Sequence, residues 1–313
     1  MPEPEPLRFS NSEVQTFKDC RRKWWLTYYR ELGKREPDLT GPRPIGTGVH
    51  HALAVHYTNP DEDPLEAINA LHAEWEGILL GSGRSLEKFA SESQLQRIMV
   101  HGYLEWLEET SADADLEVIG SETYLETPLH IPGFPDVLLI GKIDLRVRKR
   151  SDGSAWIMDH KTVPNFTSKL FMLRSDEQML HYHLLEMSQD GDIRTGGAIY
   201  NMLRKVKRSA KAKPPFYDRV EIRHNPHQME TYTQRLRSTI HDILSVRSRL
   251  DRGDDHQTVV YPRPNSDCSW KCDFSAVCPM FDDGSRAEDM LTAVYVHKDP
   301  HSHYIDPIVQ ESA

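Results

Sequence analysis

The chain has 313 residues, 38% of them hydrophobic, so it can bury a sizeable core and is not disordered by composition. Its 48 acidic and 38 basic residues leave a formal charge of −10, which argues against coating nucleic acid through bulk positive charge but not against a local basic groove. No run approaches the roughly 18 apolar residues of a membrane span, and the opening "MPEPEP" lacks the basic and apolar parts of an export signal. A cytoplasmic protein is therefore expected, whose four cysteines are free thiols or hold a metal.

Residues 1–8 are expected to be disordered. The capping box "SNSE" then starts a helix, with Ser10 accepting from the first turn and Glu13 reaching back. That helix is expected to run unbroken through "EVQTFKDCRRKWWLTYYREL". Val14, Phe17, Trp24 and Tyr28 fall near helical spacing and read as packing, while Arg21, Arg22 and Lys23 are candidates for phosphate contact. "GPRPIGTG" is a breaker-rich loop, "VHHALAVHY" resumes a helix, and two more helical patterns follow at about 63–80 and 86–109.

From Leu116 the pattern changes to a three-strand meander, "EVIGSETYLETPL", "DVLLIGKIDLRVRKR" and "AWIMDHKT", whose last hairpin turns at Asp152 and Gly153. A helix at about 168–188, a strand "GGAIYNML", a basic run, a strand near "YDRVEIR" and a helix at about 226–251 complete the body. A tail over 284–313 ends in the polar stretch "HKDPHSHYIDPIVQESA", expected to be extended. The order predicts an α/β (α+β) fold with a central mixed sheet flanked by helices.

In "WIMDHKT" the acid Asp159 and the amine Lys161 share one strand face and His160 takes the other. A lone D-x-K triplet is usually a surface ion pair worth at most about 1 kcal/mol. The neighbouring strand, however, offers Asp144 in "GKID". Two carboxylates brought that close repel unless a cation lies between them. Hard oxygen donors of this kind suit Mg2+ or Mn2+, with substrate phosphate completing the shell, and Lys161 would orient water or offset developing charge. That chemistry is phosphodiester hydrolysis.

The ordered set "GTGVH" (Gly46 to His50), "GKID" (ending in Asp144), "DHK" (Asp159 to Lys161) and "QMLHY" (Gln178 to Tyr182) resembles the PD-(D/E)xK nuclease superfamily, specifically its RecB-like branch. The resemblance implies a restriction-endonuclease-like core. It also implies that His50, Asp144, Asp159 and the His160 carbonyl bind the metal, that Lys161 is the catalytic lysine, and that Gln178 with Tyr182 positions substrate. Gln178 and Tyr182 are four apart and share a helix face. His51 competes with His50, which is preferred for its four-residue step from Gly46. His56, His181 and His183 read as surface or packing residues.

Cys20 lies in the first helix, and "CSWKCDFSAVC" gathers Cys268, Cys272 and Cys278. A set of four thiolates could hold zinc or a [4Fe-4S] cluster. "FSNSEVQTFKDC" resembles the opening of RecB-like nucleases with an iron–sulfur staple, such as AddB and the CRISPR-associated exonuclease family. The resemblance favours the [4Fe-4S] cluster, with 9–30 and 264–283 as an iron–sulfur subdomain of one nuclease domain over 9–283. Arg204, Lys205, Lys207, Arg208, Lys211 and Lys213 form a basic run without an acid, a candidate phosphate-tracking edge. The resemblance implies a DNA exonuclease acting on ends or single strands. The alternative is a non-catalytic DNA-binding or scaffold protein, and partners from recombination or CRISPR adaptation complexes fit either reading.

Overall fold

The computed structural model describes residues 5–170, 172–189 and 195–305. In chain order the elements are β1 (Arg8–Ser10), α1 (Asn11–Asp19), α2 (Arg21–Trp24), β2 (Leu32–Lys34), α3 (Pro42–Thr58), α4 (Pro64–Gly81), α5 (Glu87–Thr110), β3 (Leu116–Leu129), β4 (Val137–Lys149) and β5 (Ala155–Val163). There follow α6 (Thr167–Leu170), α7 (Glu177–Met187), β6 (Thr195–Arg204), β7 (Tyr217–Ile222), α8 (Pro226–Asp251), α9 (His256–Val259), α10 (Ala287–Val294), β8 (Tyr295–His297) and α11 (Ser302–Ile305).

The strands form a mixed sheet flanked by helices, in the order β1-β4-β5-β6-β7 with β3 also on β4. β1 runs parallel to β4, β4 antiparallel to β5, β5 parallel to β6 and β6 antiparallel to β7. β2 and β8 make a separate antiparallel pair. The antiparallel β4–β5 hairpin follows from its tight turn, in which Gly153 takes φ 71° and the Asp152 carboxylate accepts from the Ser154 N–H at 2.9 Å. The parallel β5–β6 step needs a crossover, which α7 supplies. This is the mixed sheet flanked by helices that the element order predicts, and it is consistent with the restriction-endonuclease-like core that the resemblance implies.

Two compact units interleave along the chain. Among the described residues, one is made of 5–37, Glu126–Gly141 and 227–305, the other of Asp38–Leu125 and Lys142–Pro226. The second contains a core in which α3 and α5 meet the far ends of β6 and β7 through Ile45, Val49, Leu53, Met99, Tyr103, Leu203 and Tyr217. Side chains of this size each contribute about 1.5–3 kcal/mol on burial. A smaller cluster of Leu145, Val147, Trp156, Met158 and Ile199 holds β4, β5 and β6 together.

In the first unit, the segments 9–30 and 264–283 lie in one body. Ser10 caps α1, its hydroxyl accepting from the Glu13 N–H at 3.2 Å. Glu13, however, does not reach back to complete the box: it is 2% exposed and accepts the Trp24 indole N–H at 2.9 Å. The single long helix is also corrected. Cys20 is extended (φ −163°, ψ 112°), separating α1 from α2, and a π-helical turn follows over Trp25–Tyr29. The break lets Phe17 and Trp24 pack edge to face at 5.2 Å.

The expected helix at 168–188 is likewise broken: Asp176 leaves helical geometry (ψ 110°) and caps α7, accepting from the Gln178 N–H at 2.9 Å. In the tail, α10 and β8 precede the polar stretch, with Tyr295 stacked on Phe274 at 4.9 Å and β8 paired with β2, and within that stretch α11 replaces extended chain. Residues 1–4 and 306–313 lie outside the described residues, and Arg8 belongs to β1. Among the described residues no helix is long and apolar enough to cross a membrane.

Candidate active site

β5 is buried on both faces from Ala155 to His160, and alternation sets Asp159 and Lys161 on one side and His160 on the other. The Lys161 ammonium lies 2.7 Å from Asp159 Oδ2. It also donates to Gln178 Oε1 at 2.7 Å, and Gln178 Nε2 donates in turn to Asp159 Oδ1 at 3.3 Å and to the Tyr182 hydroxyl at 3.1 Å. The (i, i+4) pair on α7 thus faces the D-x-K face of β5.

Asp144 enters from β4. Its Oδ2 accepts the His160 backbone N–H at 2.8 Å and lies 3.3 Å from His50 Nδ1 on α3. His50, Asp144, Asp159, His160, Lys161, Gln178 and Tyr182 therefore belong to one constellation. His51, on the neighbouring face of α3, answers instead to Glu74 and the backbone at Ala67 on α4. His181 and His183 are buried packing residues.

The electrostatics are those of buried, mutually dependent charges. Burial opposes charge on His50, but the Asp144 carboxylate overrides it and lifts the ring to about 9. Burial alone would raise Asp144, yet the His50 ring outweighs it and holds that carboxyl below the ordinary range. Asp159 is pushed up to about 6 by burial, with Lys161 opposing and the Asp144 charge adding. Burial works against the Lys161 charge as well, but Asp159 more than compensates and its pKa rises. Burial drives the His160 ring down to about 3.

A third acid stands close by. Glu122 on β3 is held by Lys142 at 3.1 Å, and burial followed by the Asp144 charge raises its pKa. Sequence reasoning missed it, although Lys142 lies two places before Asp144 in "GKID" and so shares its strand face.

The donor set of two carboxylates and an imidazole, with the His160 carbonyl alongside, has the chemistry that Mg2+ or Mn2+ prefers. Buried Asp159 Oδ2 is met by the Lys161 ammonium at 2.7 Å, so the position already draws positive charge. As the side chains lie, no three His, Cys, Asp or Glu among the described residues stand in ready-made ligating positions. His50 and Lys161 occupy the carboxylates, and a divalent ion must displace those contacts.

The cysteines are all half-buried thiols of the first unit. Cys20 and Cys268 lie within electrostatic reach of Cys272, and Cys20 and Cys272 within reach of Cys278; burial raises the pKa of Cys272 and Cys278. Arg22, 1% exposed, donates to the Cys278 carbonyl at 3.2 Å and bidentately to Asp282 at 2.7 and 3.0 Å. Its burial and pairing withdraw it from the phosphate role considered above.

The basic run follows β6. Arg204 donates to the carbonyls of Lys213 and Pro215, Lys207 to the Ser91 hydroxyl at 3.0 Å, and Arg208 to the Tyr217 hydroxyl while stacking over Phe216 at 3.5 Å. The Lys205 N–H is tied to the Val163 carbonyl at 2.7 Å.

The mixed sheet flanked by helices and the carboxylate and imidazole donor set are consistent with a nuclease. The sequence matches the PD-(D/E)XK nuclease superfamily over residues 8–279, and the chain belongs to that superfamily. Nucleases of this superfamily typically use Mg2+ or Mn2+. None of the curated proteins matches the chain. Among solved structures, the crystal structure of SSO0001 is similar over 75% of this chain and 84% of that one, at 17% identity and a TM-score of 0.31. That likeness is too loose to carry a functional assignment.

Proposed function

We propose that the chain is a RecB-like deoxyribonuclease, an exonuclease working on DNA ends or single strands, with a structural [4Fe-4S] cluster on Cys20, Cys268, Cys272 and Cys278. The observation that carries the nuclease reading is the meeting of His50, Asp144, Asp159, Lys161 and Gln178 at one point. His50, Asp144, Asp159 and the His160 carbonyl would hold Mg2+ or Mn2+. The bound ion would activate water and offset charge on the phosphate.

The side chains divide the remaining work. Lys161 keeps its proton because Asp159 favours the ammonium, so it can donate to a phosphate oxygen or orient the attacking water. Gln178 holds both members of the Asp159–Lys161 pair in register, and Tyr182 holds Gln178. Arg204, Lys205, Lys207 and Arg208 would follow the phosphate backbone, with salt-dependent affinity.

The cluster reading is supported by four half-buried thiols that sense one another within one unit, next to a buried guanidinium that suits an anionic cluster. Joining Cys20 to Cys278 would close a loop of most of the chain, which acts as a staple on the unfolded state.

The test is digestion of 5′- and 3′-labelled linear single- and double-stranded DNA, with a circular control, in Mg2+ or Mn2+. Wild type is expected to shorten linear substrates and spare the circle, and folded Lys161→Ala to lose cleavage. Equal activity in Lys161→Ala would remove the catalytic assignment, and nicking of the circle would replace exonuclease by endonuclease.

A further inference from the structure

His160 lies between the acid and the lysine, and its side chain points away from both. The ring nevertheless sits at the end of a hydrogen-bonded rung crossing three strands: His160 on β5 is in register with Asn201 on β6, and Asn201 with Arg219 on β7. Arg219 Nε donates to Asn201 Oδ1 at 2.9 Å, and Asn201 Nδ2 meets His160 Nδ1 at 2.8 Å.

The direction of every bond in this rung is determined by chemistry. A guanidinium can only donate, so Asn201 must turn its oxygen to Arg219 and its amide N–H groups the other way. One of those N–H groups goes to the Tyr103 hydroxyl at 3.0 Å, and the other points at His160 Nδ1. Nδ1 must therefore accept, which leaves the ring proton on Nε2. The rest of the network closes on the same logic. Arg219 also donates to Tyr103 at 2.7 Å, to Tyr57 at 3.1 Å and to Asp113 at 2.6 Å, and the Tyr57 hydroxyl donates to Asp113 at 3.1 Å.

The ring so held is also a spacer. Tyr57 stacks on it at 5.8 Å with planes 12° apart, and His50 meets it edge-on at 5.9 Å. Tyr57 and His50 are seven residues apart on α3, so the His160 ring gauges the separation of that helix from β5. On the other side, the His160 peptide N–H fixes the Asp144 carboxylate.

We infer that Asn201 and Arg219 are positioning residues for the reaction, locking the His160 ring as an Nε2–H imidazole that sets where its peptide, His50 and Asp144 converge on a divalent cation. The inference rests on the nuclease reading above and adds to it residues outside the D-x-K, Q-x-x-x-Y and G-x-x-x-H motifs. Partners of this kind that orient metal ligands typically change metal affinity or activity by about ten- to a hundred-fold when removed.

The experiment uses the full chain, Asn201→Asp, which keeps size but turns an acceptor toward His160, and Asn201→Leu. Long-range 15N–1H correlation of the histidine rings in wild type should show His160 as the Nε2–H form, and Asn201→Asp should move its proton to Nδ1. Mn2+ titration of metal-free protein should show affinity falling about ten-fold or more in each folded variant, with kcat lowered and KM for DNA held. A wild-type Nδ1–H ring overturns the inference, as does unchanged Mn2+ affinity and kcat in Asn201→Asp, which by its size remains the decisive variant should Asn201→Leu fail to fold. Wild type that neither binds Mn2+ nor cuts DNA would sink the nuclease reading and this inference together; active wild type with unaffected variants sinks this inference alone.

Discussion

His50 Nδ1 lies 3.3 Å from Asp144 Oδ2, so the imidazole that would bind a metal is spoken for by a carboxylate that would bind the same metal. The pairing has a definite pH signature. The His50 pKa is about 9 in the folded chain against 6.5 for the free ring. Because the folded value is the higher one, the pair contributes fully below about pH 6.5 and its contribution disappears as pH rises through about 9. His50→Asn should therefore cost stability near pH 6, on the order of 1–3 kcal/mol, and nothing near pH 10. Urea unfolding at the two pH values checks this.

The same relationship links cation uptake to proton release. A ligating imidazole must be neutral, whereas His50 is protonated at pH 7.5 by virtue of Asp144. Mn2+ binding at pH 7.5 is expected to release close to one proton, read by calorimetry in two buffers of different ionisation enthalpy. Identical heats in both buffers would show that His50 does not change its protonation. Asp159, raised to about 6, sets the acid side: uptake should weaken as pH falls through that value, because the carboxylate gains the proton it must lose to bind a cation.

Gln178 touches both members of the Asp159–Lys161 pair, donating to one and accepting from the other. Removing it takes away two charge-assisted hydrogen bonds at a partly exposed site but leaves the Asp159–Lys161 ion pair in place. Gln178→Ala should lower kcat by roughly ten- to a hundred-fold while the melting temperature moves little, since α7 retains its Asp176 cap. Steady-state kinetics beside a thermal melt separates these outcomes. A large melting shift with normal kcat would make Gln178 structural.

How much of this was legible beforehand depends on the range of the contact. β4 announces itself through alternation and the Asp152–Gly153 turn signal sets β5 beside it, so Asp144, Asp159 and Lys161 could be set on neighbouring strands from the sequence alone, although they lie within those strands rather than at their ends. The α7 pair follows from helical spacing. The rung from His160 through Asn201 to Arg219 depends on which strands become neighbours and in what register, and no local pattern encodes that. The break at Cys20 was hidden for a related reason: the local sequence favours helix, and packing of Trp24 against Phe17 and Glu13 decides otherwise.

The cysteine assignment makes a compositional prediction. Protein purified without air should be brown, with iron and sulfide near four of each per chain if a [4Fe-4S] cluster is bound. Cys20→Ser should then lose the colour and melt at lower temperature, because the cluster would no longer tie α1 to the C-terminal trio. Zinc without iron, under the same preparation, would assign the thiols to a different metal.

A close backbone approach in the sheet gives a last, purely structural prediction. Gly197 sits in β6 at φ 150°, opposite the β5 residue Trp156, and a Cβ built on it would run into the Ile222 carbonyl of β7 and press on the Trp156 ring. The Ile222 oxygen is backbone, so no side-chain rotation can relieve the overlap; β7 itself must move. That displacement would disturb the Ala198–Ile222 rung and, four residues further on, the Asn201–Arg219 rung. Gly197→Ala is expected to destabilise by about 2–4 kcal/mol, the range of backbone strain combined with overpacking. It should also weaken Mn2+ binding in the molecules that remain folded. Chemical denaturation with a parallel Mn2+ titration measures both, and a variant as stable as wild type would show that β7 yields without cost.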